Sequence, residues 1–286
     1  SFLKENYPHL GRTLSAEKLS VSVSRVHYLC EKHKIKMNKI DYSRIHGEAQ
    51  KRRFERESQE KTILNSFISE ITDKKAYLLG FLWADGHVCK LNKSIKIEVR
   101  EDDGESLREL FMSLINWKIS KRQKETSKNK SMIFAFYDRP FSDFLKQNDY
   151  WIKSQTSPTK ILNVVPKNLH CYFWQGFLDG DGCISIEQNK HIRVSFAGSI
   201  NQDWTDLSNL LKNLNCKNTI QKYSSIGRSG NKNSRSSIRL SGYKNIMKLL
   251  DYIYNNEKCL GIERKHLKYI HTKELIKSNT HPAFAA

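Results

Sequence analysis

One short pattern is written twice in this chain, and it constrains the fold more than any other feature. The first copy reads Leu78-Leu79-Gly80-Phe81-Leu82-Trp83-Ala84-Asp85-Gly86, and the second reads Trp174-Gln175-Gly176-Phe177-Leu178-Asp179-Gly180-Asp181-Gly182. A pattern repeated at long range predicts two copies of one structural unit. The apolar run from Ala76 to Ala84 predicts a buried helix. Gly86 and Gly182 stand where a helix ends in the left-handed conformation. Asp85 and Asp181 then lie at helix C-termini, where the dipole already places partial negative charge. Gly80 with Ala84, and Gly176 with Gly180, leave a bare stripe along each helix, which lets two backbones approach closely. Packed along those stripes, the two helices bring both carboxylates to the same end. Neighbouring carboxylates repel unless a cation joins them, so a divalent-metal site at Asp85 and Asp181 is expected. The competing reading, a plain core helix with an acidic end in each copy, is weakened by the repetition.

These paired stretches resemble the motifs of LAGLIDADG homing endonucleases in their single-chain, two-repeat form. Gly80, Ala84, Asp85 and Gly86 match the motif positions, as do Gly176, Gly180, Asp181 and Gly182. Trp83 stands where the family often has an acid, whereas Asp179 keeps it; the family's metal-binding acid is the last Asp, which both copies retain. The resemblance spans residues 73–275. It implies an α+β fold of two pseudo-symmetric αββαββα repeats forming a DNA-binding saddle. It implies Mg²⁺ as cofactor, about two or three divalent ions shared between the aspartates, with the main-chain carbonyls of Ala84 and Gly180 assisting. In the family a lysine at the end of each repeat points towards the metal, and Lys160 and Lys265 match those positions; Glu98 and Ser195 align with a position that orders solvent there. The implied activity is sequence-specific double-strand cleavage across the minor groove, leaving short 3′ overhangs. The implied context is a monomer acting on double-stranded DNA at a long asymmetric site, in the spread of an intron or free-standing mobile gene. Non-cleaving regulators and intron RNA maturases share the scaffold, and that alternative stays open.

The charge agrees with such a partner. The 286 residues include 49 Lys and Arg against 30 Asp and Glu, a formal charge of +19. This points to a polyanion, nucleic acid before an anionic membrane. No membrane association is expected, because the apolar run ending at Ala84 is far shorter than the roughly 20 residues a span needs. No signal peptide is visible. Six scattered cysteines without a Cys-x-x-Cys pair predict reduced, buried thiols in an intracellular protein of the cytoplasm, nucleoid or organelle matrix, and not a zinc module. No His-Glu-x-x-His and no phosphate-cradling glycine loop occurs.

Residues 1–37 read as a helix-turn-helix. A short helix over Phe2 to Tyr7 is expected to break at Pro8, and a second to run from Thr13, its N-cap, to Leu19. A turn at Ser20-Val21-Ser22 leads to a third from Val23, with Val23, Val26 and Cys30 inward and Arg25, Tyr28 and Lys32 outward. In such a unit the last helix enters the major groove; a small cap on a larger domain is the alternative. Residues 38–72 are charged, with Lys51-Arg52-Arg53 followed by alternating signs. They form either an extended linker or a solvated helix.

Residues 73–166 and 167–286 are the two repeats. After each motif come two strands, His87–Leu91 and Ile95–Arg100, then Cys183–Glu187 and His191–Phe196, alternating apolar and charged. An amphipathic helix, a second hairpin and a closing helix follow in each. Helices on one face of an antiparallel sheet make an α+β unit. The uncovered face is expected to carry Lys96, Glu98, Arg100, Arg193, Ser195, Lys222 and Arg239, with basic loops after Lys121 and around Arg228, Lys232 and Arg235. Such a ribbon reads the major groove, while its rim holds phosphates.

Overall fold

The computed structural model describes residues 2–89, 93–123, 130–187, 191–226, 232–254 and 260–280. The chain divides into two compact units, Ser1–Ile63 and Leu64–Ala286.

In the first unit, α1 spans Phe2–Leu19 and α2 spans Val23–Lys32. The break expected at Pro8 falls instead at Gly11, where φ is 71° and ψ −173°; glycine enters that left-handed region without the penalty a side chain brings. Thr13 therefore lies two residues past the kink, within the helix. At the kink the Pro8 carbonyl loses its helical partner and accepts from Asn38 N–H (3.2 Å). Ser22 caps α2 by accepting from Arg25 N–H (3.2 Å). A small core gathers Leu3, Tyr7, Ala16, Val26 and Cys30. Val23, expected inward, is exposed because it sits in the first turn, ahead of the contact with α1. Helix α3, Lys39–Ser69, resolves the charged segment as a helix, and the division between units falls within it. Glu48 lies 3.9 Å from both Arg44 and Arg52, four residues away on either side; such exposed pairs add about 0.3–0.5 kcal/mol each.

The second unit holds the αββαββα order twice. The first copy runs α4 Asp73–Asp85, β1 Gly86–Val88, β2 Ser94–Arg100, α5 Glu101–Leu114, β3 Lys118–Gln123, β4 Lys130–Tyr137 and α6 Arg139–Gln147. Helix α7, Thr159–Val164, and a short 3₁₀ turn, Lys167–Leu169, connect the copies. The second copy runs α8 His170–Asp181, β5 Gly182–Ile186, β6 Ile192–Ser199, α9 Thr205–Asn213, β7 Thr219–Ile226, β8 Lys232–Ser241 and α10 Tyr243–Ile253. A further helix, α11 Glu263–Thr280, was not expected and carries Lys265.

Each copy builds an antiparallel four-stranded sheet, ordered β1-β2-β4-β3 and β5-β6-β8-β7. In both, the hairpin strands pair through their second members, β2 with β4 and β6 with β8. Alternation puts Ile95, Ile97 and Val99, and Val194, Phe196, Ile238 and Leu240, into one continuous core with α4 and α8. Burying each such side chain contributes roughly 1.5–3 kcal/mol.

Two sequence expectations change here. Gly86 and Gly182 are not left-handed: they are extended, at φ −69°, ψ 140° and φ −89°, ψ 157°, because a strand starts at each with no intervening loop. Glycine is needed there for space, since a Cβ would stand 2.4 Å from the Leu82 or Leu178 carbonyl oxygen. Of the thiols, Cys30 and Cys216 are buried, while Cys89 and Cys171 are half-buried and Cys183 is exposed; Cys259 lies outside the described residues. Among the described residues no helix is long and apolar enough to cross a membrane.

Candidate active site and nucleic-acid interface

Helices α4 and α8 cross along their bare stripes. A Cβ on Gly80 would lie 1.8 Å from the Phe173 carbonyl oxygen, and one on Gly176 2.1 Å from that of Tyr77. Backbone meets backbone, as the spacing predicted. The crossing delivers Asp85 and Asp181 to one end, close enough that the Asp85 charge pushes up the carboxyl of Asp181.

Burial is the larger cause. It raises both carboxyls, and Asp181 reaches about 6 once the Asp85 charge is added. Asp85 is exposed on one side and Asp181 is half-buried. Two ammonium groups oppose the rise, Lys153 and Lys265. The repulsion foreseen at the helix ends is thus relieved in part by the protein itself, and still both acids remain above their ordinary range. That deficit of positive charge is what a divalent cation corrects. Among the described residues no cluster of three or more His, Cys, Asp or Glu could hold a metal ion. The donor set is the carboxylate pair, hard oxygen ligands of the kind Mg²⁺ takes alongside substrate phosphates and water, so the residues fit a cation shared with a bound phosphodiester.

The lysines are placed differently from the sequence expectation. Lys160 does not reach the site: its Nζ donates to Asp149 at 2.8 Å in a pair where the lysine side chain is 58% exposed. Helix α7 turns it outward. Lys153 takes the position instead, donating from Nζ to the carbonyls of Leu82 (3.1 Å) and Ala84. Burial lowers its ammonium to about 8 against the pull of Asp181 and Asp85. Lys265 is the equivalent in the second repeat, donating to the carbonyls of Leu178 (2.8 Å), Asp179 (2.5 Å) and Gly182 (2.8 Å), with its own acidity raised by burial. Each ammonium therefore caps the open carbonyls at a helix C-terminus. The Ala84 carbonyl, expected to face a metal, gives one of its two lone pairs to Lys153. Nothing in the local sequence around Lys153 announces this role; only the path from α6 to α7 does.

Asp179 belongs to the scaffold. It is fully enclosed and accepts from Tyr77 Oη (2.7 Å), Tyr254 Oη (3.2 Å) and Ile262 N–H (3.0 Å). Burial raises its carboxyl despite these donors. Trp83, its counterpart, packs edge-on against Tyr150, whose hydroxyl donates to the Leu79 carbonyl at 2.9 Å. The paired positions therefore hold their helices by opposite means, a polar latch in one repeat and an aromatic wedge in the other.

The register of the sheets decides which side chains share the open face. In the first sheet His87, Lys96, Ala135 and Lys118 stand in one row, and Arg100, Ser131 and Arg122 in another. Glu98 faces the same way and accepts from Ser131 Oγ at 2.9 Å. An open cavity of about 520 Å³ runs from Asp85 past Glu98 and Arg100 to Asp103 and Arg264. In the second sheet Cys183, Ser195, Arg239 and Thr219 form a row, and Arg193 shares their face. Arg193 is engaged with Glu187 at 3.3 Å.

Lys222 leaves this face. It pairs with Ser236, and Ser236 lies on the helix side, bonded by Trp204 Nε1 (2.9 Å). The parity that puts Arg239 on the open face puts Lys222 on the helix side of the edge strand, where it stays exposed. Tyr223, one residue on, takes the open face and was not foreseen. Its hydroxyl meets Ser237 Oγ (2.8 Å) and accepts from Arg239 (2.9 Å), and the guanidinium of Arg235 lies 5.2 Å from its ring centre. Those donors lower the tyrosine's pKa. Lys121 likewise turns to the helix side, against Glu101 (2.6 Å) and Glu105 (3.0 Å). Arg228 lies outside the described residues.

In the first unit, Arg25, Tyr28 and Lys32 share the exposed face of α2, with the guanidinium 5.6 Å and the ammonium 6.0 Å from the tyrosine ring centre. This is a cationic, aromatic surface of the type that contacts nucleic acid.

Residues 174–276 match the LAGLIDADG endonuclease family, from within α8 to within α11. No curated protein matches the chain. Among solved structures the chain is similar to I-SmaMI bound to an uncleaved DNA target in the presence of calcium ions, at 13% identity and a TM-score of 0.44, covering 74% of this chain and 94% of that one. It is also similar to I-DmoI in complex with DNA and Ca, at 16% identity and 0.42, covering 69% and 97%. A third is the homing endonuclease I-WcaI bound to its DNA recognition sequence, at 14% and 0.44, covering 72% and 91%.

Proposed function

We propose, from a second repeat that matches the LAGLIDADG endonuclease family, that the chain is a sequence-specific double-strand DNA endonuclease. The observation that carries this is the end of the α4–α8 crossing. Two raised carboxylates meet there, and a lysine caps each helix, half-buried at Lys153 and buried at Lys265. Two open sheet faces rich in basic and polar side chains lie in the same unit.

In this reading Asp85 and Asp181 would hold Mg²⁺, helped by the Gly180 carbonyl. A bound divalent ion supplies Lewis-acid stabilisation of charge on the phosphate oxygens. The chain's own residues do the rest. Lys153, titrating at about 8, exchanges a proton near neutral pH and suits proton transfer to or from attacking water. Lys265 holds the matching position at α8. Arg100, Arg193 and Arg239 bind phosphates and base edges from the open faces, with Tyr223 and Ser131 orienting neighbours. Because the two repeats differ in sequence, a single chain reads a long asymmetric site as a monomer, and α2 adds contacts through Arg25, Tyr28 and Lys32. The cuts leave short 3′ overhangs.

The test is a cleavage selection: a duplex library is incubated with the protein in Mg²⁺ and in EDTA, and new ends are sequenced. Discrete Mg²⁺-dependent ends, lost in Asp85→Asn and Asp181→Asn while DNA retention persists, are expected. Specific DNA retention with no new ends in any variant would replace the nuclease with a non-cleaving regulator, and preferential RNA capture would replace it with a maturase.

A further inference from the structure

The two candidate lysines are each held in place by the other repeat. Lys265 lies near the start of α11, and its neighbour Arg264 reaches across to Asp103 in the first turn of α5. That pair is bidentate, Nε to Oδ1 at 2.6 Å and Nη2 to Oδ2 at 2.7 Å, and its carboxylate is 7% exposed. Two parallel charge-assisted bonds fix orientation as well as distance. The entry to α11 is pinned a second time by Ile262 N–H on Asp179 Oδ2, an oxygen that also accepts from Tyr77 of α4, while Asp179 Oδ1 accepts from Tyr254 at the end of α10.

Lys153 is held the opposite way. The Gln202 amide, just before α9, donates from Nε2 to the carbonyls of Lys153 and Thr156, both at 2.9 Å. Ser199 donates to the Ser154 carbonyl, and Ser157 Oγ accepts from Asp206 N–H at 2.9 Å. Asp103 in the first turn of α5 and Gln202 just before α9 occupy corresponding places in the two repeats. Neither is near the sequence motif, and each acts on the lysine of the partner repeat.

We infer that Asp103 and Gln202 are positioning residues forming a reciprocal latch, by which each repeat positions the lysine of the other and so sets the rate of one strand cut. The inference rests on the nuclease reading given above. The latch is crossed at the backbone: each ammonium bonds helix carbonyls of its own repeat, while the segment that carries it is tied to the other repeat.

The experiment uses the full chain and a target duplex with a different fluorophore on each strand. Asp103→Asn is expected to slow the cut of one strand on the order of tenfold to hundredfold, as small displacements of a reacting group do, leaving DNA affinity unchanged and a nicked product accumulating. Gln202→Leu is expected to slow the cut of the opposite strand. The double variant Asp103→Arg with Arg264→Asp restores the first cut. Slowing of the same strand by both variants, or of both strands equally, would overturn the latch. A second readout does not need cleavage: in lysine-Nζ ¹H–¹⁵N spectra of the metal-free protein, Asp103→Asn broadens the Lys265 ammonium signal by faster exchange with water, and Gln202→Leu broadens that of Lys153. Unchanged signals in both variants also overturn it. Broadened signals in the two variants, beside a wild-type chain that cuts no DNA, would uphold the latch and dismiss the nuclease reading alone.

Discussion

Asp181→Asn isolates the cost of placing an acid at the crossing. In the folded chain burial and the Asp85 charge raise Asp181 from the ordinary 3.8 to about 6. A group whose folded pKa is raised holds a proton that the unfolded chain has released, so stability falls as pH climbs from about 4 to about 6 and is level above that. At 1.36 kcal/mol for each pH unit, the fall is about 3 kcal/mol. Asparagine has the same shape and no charge to lose. Its own desolvation cost does not vary with pH, so it cancels when the two proteins are compared across pH. The stability of the variant minus that of wild type should therefore widen by about 3 kcal/mol between pH 4 and pH 7. Urea titrations in EDTA measure it. All five tryptophans lie in the second unit, so their fluorescence reports the unit that contains the site. Mg²⁺ at pH 7.5 should then stabilise wild type, by about 2.7 kcal/mol at a hundred times its Kd, and leave the variant unmoved. A stability difference that stays flat across this pH range would falsify the claim that Asp181 is desolvated beside a second charge.

Two further outcomes follow from the geometry. Gly80→Ala drives a Cβ into the Phe173 carbonyl, which is backbone and cannot swing aside; a loss on the order of 3 kcal/mol or more is expected by urea unfolding, and an unchanged midpoint would mean the helices do not touch there. Lys153→Met should cut about a hundredfold more slowly and lose the limb of the pH–rate profile near 8, whereas Lys160→Met removes only an exposed ion pair and keeps its rate; the reverse result would return Lys160 to the site.

Much of this protein is written locally. The glycines of the two motifs, the run of helix formers before each aspartate and the period-two alternation in Ile95, Ile97 and Val99 are short-range signals, and each maps directly onto a helix face or a sheet face. They were enough to foretell the helix pair, the meeting of Asp85 and Asp181 and the double αββαββα order. Strand parity was legible for Arg193 and Arg239 but failed at Lys222, because the register of an edge strand is set by its partner and a one-residue difference reverses every side chain. The kink at Gly11 was assigned to Pro8 because proline is the stronger local signal, while Gly11 is selected by the contacts that Asn38 and its neighbours make with the opened turn.

What the tertiary structure alone decided is which charged groups meet. Forty-nine lysines and arginines are alike along the chain; Lys153 differs from Lys160 only because the turn after α6 carries one under the C-terminus of α4 and the start of α7 carries the other into solvent. Asp179 and Asp181 are two residues apart and chemically identical, yet one is walled in by Tyr77, Tyr254 and Ile262 and the other opens toward Asp85. Arg264 and Asp103 are brought together across the whole second unit. The sequence by itself determined the repeated elements other than α11, the stripe along which the helix pair packs and the acids at its end. The identity of the lysines, the burial of one acid and the crossed latch came from contacts between residues far apart in the chain, where desolvation and charge depend on the full set of neighbours and no local pattern records them.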